Sequence, residues 1–140
     1  MLHNTEVDNQ TSLEIVGVQE LLADFLQQMD YQEETEISVV FCNNQFIKEL
    51  NLKYRGLDEP TDVLSFSAEM QGFLGDIVIS PEKAQAQAEE GLKAELELLL
   101  CHGLLHLLGY DHETGEEDAE EMFALQKKLL MNKQKDISLK

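Results

Sequence analysis

The sequence is poor in the residues that redox, membrane and nucleic-acid proteins depend on. Cysteine occurs twice, at Cys42 and Cys101, and in no C-x-x-C pair. That excludes a disulfide framework, and in a reducing cytosol both thiols are expected to be free and buried. Apolar runs fall far short of the roughly 20 residues a membrane helix needs. The opening MLHNTEVDNQ has neither a positive start nor an apolar stretch, so a cytoplasmic chain with no signal peptide is expected. Positive charge is scarcest of all. Lys and Arg total 10 against 28 Asp and Glu, a net charge of −18, and Arg55 is the single arginine. A broad basic surface for RNA is thereby excluded, because non-specific phosphate binding rests on Lys and Arg. Any RNA contact must be local, through a cleft or a partner that delivers the substrate.

Repeats, low-complexity tracts and linkers are also missing, so residues 1–140 read as one domain, long enough to bury a core. Thr11 and Glu14 fit a capping box, which predicts an amphipathic helix with Leu13, Val16, Leu21, Leu22, Phe25 and Leu26 inward. The branched run 36–42 predicts a strand, and Asn43 can cap a second helix. Residues 63–68 and 74–80 read as two further strands. Pro81 suits the first turn of a helix running to about Gly91. Residues 92–108 are apolar on more than one side, the mark of a buried central helix. Thr114 and Glu117 form another capping box, predicting a closing helix with Met122, Phe123, Leu125, Leu129 and Leu130 inward. About five helices around a small, mixed and mostly sequence-adjacent sheet make an α+β fold.

Three of the four histidines fall within eleven residues, His102-Gly-Leu-Leu-His106-Leu-Leu-Gly109-Tyr-Asp-His112. On a helix, His102 and His106 lie about 40° apart in azimuth and ~6 Å along the axis, so both imidazoles can reach one metal. An unbroken helix would carry His112 to the far side, so the helix must end first. Gly109 is the residue that can end it. The spacing H-x-x-x-H-x-x-G-x-x-H is a zinc-enzyme ligand frame, and three histidines with an open position are a catalytic rather than a structural pattern. A structural zinc would need a fourth protein ligand, for which Cys42 and Asp111 are the available choices. Position 103 is glycine, whereas zinc peptidases carry their glutamate base there. The helix therefore lacks the peptidase base. Asp62, Asp76 and Asp111 are the remaining carboxylates near the motifs, and Asp111 is expected to orient a ligating histidine.

Upstream stands Asn51-Leu-Lys-Tyr-Arg55, followed by Pro60-Thr-Asp-Val-Leu-Ser-Phe66 and Leu74-Gly-Asp-Ile-Val-Ile-Ser80. A guanidinium can hold phosphate in a bidentate way that lysine cannot. Together with the histidine block, these segments resemble the bacterial YbeY family in its four motifs, N-x-x-Y-R, P-T-D-V-L-S-F, L-G-D-I-x-I-S and H-G-x-L-H-L-x-G-Y-D-H. The tail with Glu117, Met122 and Gln126 is also similar to that family's closing helix.

The resemblance implies a zincin-like α+β domain with the metal site at the C-terminal end of the central helix. One zinc, or another divalent ion in its place, would sit on His102, His106 and His112, and Arg55 would be functional. It implies a single-strand-specific endoribonuclease of small-subunit (16S) rRNA 3′-end maturation and ribosome quality control, with ribosome-associated proteins as partners and no membrane. The competing readings are a metal hydrolase of another class, acting on peptides or small molecules, and a non-enzymatic assembly factor with a structural zinc.

Overall fold

Branched residues at alternate positions give the sheet two apolar faces. The computed structural model describes residues 3–140, in the order β1 (His3–Asn9), β2 (Ile15–Val16), α1 (Val18–Gln28), β3 (Thr35–Phe41), α2 (Asn44–Arg55), β4 (Val63–Met70), β5 (Phe73–Ile79), α3 (Pro81–Gln87), α4 (Leu92–Leu107), α5 (Glu116–Asn132) and β6 (Ser138–Leu139). On one face Ile37, Val39 and Phe41 of β3 join Ile77 and Ile79 of β5 in the main core with α1 and α4. On the other, Val78 and Leu64 pack with Ile47 of α2 in a smaller core. The period of two along each strand produces this division.

The main sheet runs β1-β3-β5-β4. β1, β3 and β5 are parallel, and β4 lies antiparallel at the edge. This is the expected mixed sheet with five helices, but only the β4–β5 hairpin pairs neighbours in sequence. The difference comes from β1, whose HNTEVDN buries Thr5 alone and so carries no apolar alternation to read. α4 buries nine residues around its circumference, among them Leu96, Leu100 and Leu104, and forms the centre of the molecule.

Four expected features are corrected. Thr11 and Glu14 open no helix. Thr11 Oγ1 accepts from Leu13 N at 3.2 Å while Asn9 Oδ1 accepts from Thr11 N at 2.9 Å, which is turn chemistry. Ile15 and Val16 then pair with Leu139 and Ser138 of β6, so α1 starts only at Val18. α3 stops at Gln87 because residues 85–90 offer no large apolar side chain to bury, and a short helix without packing does not persist. Phe123 of α5 points outward and is 47% exposed. Thr114 Oγ1 donates to Asp118 at 2.7 Å, and Gly115 occupies the cap position.

Candidate metal centre

The site begins with the end of α4. Leu108 closes the helix, Gly109 takes φ +100°, Gly109 N donates to His106 O and Tyr110 N donates to Leu105 O, both at 3.0 Å. A left-handed residue is inexpensive only for glycine, and this turn swings His112 back over the helix. The ligand-capable atoms of His102, His106 and His112 all lie within 4.8 Å of one another. The Nε2 atoms of His102 and His106 are 3.1 Å apart. Two nitrogens bound at about 2.0–2.1 Å to one tetrahedral ion would sit ~3.3 Å apart, so the spacing fits a shared ion.

The chemistry of the donors fits as well. His102 Nδ1 lies 3.0 Å from Gln126 Oε1. With the amide oxygen as acceptor, Nδ1 carries the proton and Nε2 keeps its lone pair for a metal. Burial, first among the causes, holds the His102 and His106 rings below the ordinary histidine range. Neutral imidazole is the ligating form. His112 Nδ1 is buried without a hydrogen-bond partner, which leaves the trio incomplete in the absence of a further group. Among the described residues no Cys, Asp or Glu joins it. Cys42 is buried in the smaller core and Cys101 in the main one.

The trio opens onto a cleft of about 840 Å³, lined by residues of α2, β4, α4 and α5. Arg55, the last residue of α2, lines the same cleft and makes no ion pair among the described residues. A family model described as endoribonuclease YbeY matches residues 3–134. The chain belongs to the YbeY family. It is 54% identical over 102 residues to endoribonuclease YbeY of Sulfurihydrogenibium sp., covering 67% of each chain. It is 45% identical to that of Bacillus subtilis over 81% of this chain and 82% of the other. The solution structure of a Thermotoga maritima protein superposes with a TM-score of 0.64 at 30% identity, over 90% of this chain and 86% of that one. YbeY proteins carry the name of endoribonucleases, hydrolases by class, so this chain is an enzyme rather than a binding module.

Within this YbeY-family site, Gln126 is the residue that motif reasoning left without a role. It lies on α5, twenty-four positions from His102, and only the family-like tail could have drawn attention to it. Asp111 makes no hydrogen bond or ion pair to a histidine ring among the described residues. Its Oδ1 accepts from Glu113 N at 2.8 Å and shapes the turn before His112. Asp62 lines the cleft with both oxygens engaged, by Val63 N at 2.8 Å and Gln87 Nε2 at 2.6 Å. Asp76, paired with Ser38 and Phe66 inside the sheet, is not part of the cleft lining. Gly103 is buried, and a Cβ there would stand 2.8 Å from Ile77 Cγ2 and 3.2 Å from Ser65 Oγ. Close helix–sheet packing therefore occupies the position where peptidases keep their base.

Proposed function

We propose that this chain is a zinc-dependent, single-strand-specific endoribonuclease that matures the 3′ end of small-subunit rRNA and takes part in ribosome quality control in the cytoplasm. The observation that carries the reading is the convergence of three imidazoles on one point of a cleft that also holds Arg55, which has no ion pair among the described residues, in a chain of the YbeY family. His102, His106 and His112 would hold the ion, with one position left to solvent or substrate. The chemistry such an ion would supply there is a lowered pKa for bound water and polarisation of a phosphoryl oxygen.

The chain's own groups supply the rest. Gln126 fixes the His102 proton on Nδ1. Arg55 grips the phosphate and stabilises its added negative charge. The absence of a fourth protein ligand among the described residues favours an enzyme over an assembly factor with a structural zinc. Glycine at position 103 disfavours a peptidase.

The test is metal-dependent cleavage of single-stranded RNA beside duplex RNA and casein. Cleavage of the single strand alone is expected, with loss of activity on chelation and return on adding zinc. Arg55→Ala should reduce the rate ~10²–10³-fold while folding and zinc content stay intact, and Arg55→Lys should restore only part. Casein hydrolysis, or RNA cleavage indifferent to chelation, would overturn the proposal. An Arg55→Ala protein that is folded, metallated and fully active would remove the arginine from the mechanism.

A further inference from the structure

Two aromatic side chains stand in the wall of the cleft with their rings toward solvent. Tyr54, next to Arg55 on α2, is 56% exposed, and Phe123 on α5 is 47% exposed. Leaving so much apolar area in water costs stability at about 25 cal/mol per Å², and neither ring is loose. Tyr54 rests on Phe66 with centroids 5.1 Å apart. Phe123 lies 6.4 Å from His102 at an interplanar angle of only 18° and 5.8 Å from His112. Each ring is thus held by a neighbouring ring and left about half exposed. Both residues line the cleft that holds the histidines.

The charge of the cleft says what such rings are for. Arg55 is the only Lys or Arg in its lining, against Asp62, Glu95, Asp111 and Glu113. Phosphate contacts scale with the number of cations that neutralise them, so one guanidinium cannot hold a strand here. Stacking of unpaired bases on aromatic faces needs no positive charge and tolerates any sequence. Lys53 Nζ sits over the Tyr54 ring, 5.1 Å from its centroid, so a base that stacks there displaces the ammonium toward the neighbouring phosphate.

Resting on the reading of the site as an RNA cleft, we infer that Tyr54 and Phe123 are stacking surfaces for unpaired nucleobases on either side of the phosphate held at Arg55. Duplex RNA cannot offer a free base face to either ring, which gives single-strand selection a physical cause in this chain. Binding should then depend on bases more than on phosphates and show a shallow salt slope, set by one or two neutralised phosphates.

The experiment is rapid-mixing anisotropy of the zinc-loaded protein with a labelled oligouridine about eight nucleotides long, within the span such surfaces cover. An abasic strand of equal length runs beside it. Tyr54→Leu and Phe123→Leu should each weaken oligouridine binding about five- to a hundredfold, the range seen when a stacking aromatic is removed. Tyr54→Phe should bind as the parent does, and the abasic strand should be weak and insensitive to all three changes. Zinc content is measured for each variant, because Phe123 touches His102 and His112; if Phe123→Leu loses zinc, Tyr54→Leu decides. Unchanged oligouridine binding in Tyr54→Leu, or equal loss with the abasic strand, overturns the stacking role while leaving the RNA reading intact. A parent protein that binds neither strand overturns both.

Discussion

Gln126 ties the closing helix to the metal centre through one hydrogen bond, 3.0 Å from its Oε1 to His102 Nδ1. Partners of this kind set the tautomer and basicity of a ligating ring and are typically worth about 10–100-fold in metal affinity. Gln126→Ala should therefore weaken zinc binding by about that factor in competition with a chromophoric chelator. Gln126→Glu, which keeps an acceptor in place, should not. Equal affinity in all three proteins would reduce Gln126 to a packing residue.

The rings themselves make a pH prediction. Burial lowers the folded-state pKa of His102 and His106, while in the unfolded chain they take protons near 6.5. As pH falls through that value the unfolded state binds more protons than the folded one. Stability must then decline, and bound zinc must be lost with it. Above that value both should level off. Zinc retention measured across pH 5 to 8, roughly the span in which histidine titrates, checks this, and a loss on the alkaline side would contradict it.

Among the elements, the turn after α4 decides whether three ligands meet. A Cβ on Gly109 would touch nothing within 4 Å, but the residue holds φ +100°. Gly109→Ala therefore suffers from backbone strain alone, about 1 kcal/mol or more. It should lower the melting temperature and weaken zinc binding by displacing His112. An unchanged midpoint and affinity would show that the turn is held by other means.

This turn was legible in the sequence because the ligand spacing demanded a break and glycine stood where the break had to fall. β3, β5 and α4 were legible because burial leaves apolar, branched runs, and β4 because its residues alternate. β1 was not. It is an edge strand with one buried residue, and its pairing with β3 depends on a partner distant in sequence. The Thr11–Glu14 pattern misled because a threonine hydroxyl can serve a turn as readily as a helix cap. Phe123 misled because helical periodicity assigns it inward, whereas it rests on the ligating rings at the cleft edge.

For the molecule as a whole, the charge of −18 acts on folding and on substrate in opposite ways. Self-repulsion opposes the compact state. Raising salt from about 0.01 M to about 0.15 M shortens the screening length from ~30 Å to ~8 Å. The melting temperature of the zinc-loaded protein should therefore rise over that interval, while RNA cleavage should fall modestly as the contact to Arg55 is screened. A midpoint that drops with salt would mean that favourable ion pairs, such as Lys133 with the buried Glu97 at 3.3 Å, outweigh the repulsion. Net charge was fully legible from composition. The placing of the single arginine in the cleft of the histidines was not, because Arg55 and His102 come to line one cleft only through the packing of α2 and α4 on the sheet.

Gly103 also constrains the evolutionary descent of this scaffold. The ligand frame is one substitution away from carrying a peptidase's glutamate, yet any side chain at that position brings its Cβ to 2.8 Å from Cγ2 of the fully buried Ile77. A lineage would have to shorten Ile77 first, accepting a cavity of the kind that typically costs about 2–5 kcal/mol, before glutamate could be tried. Packing therefore opposes a glutamate at this place in the histidine frame.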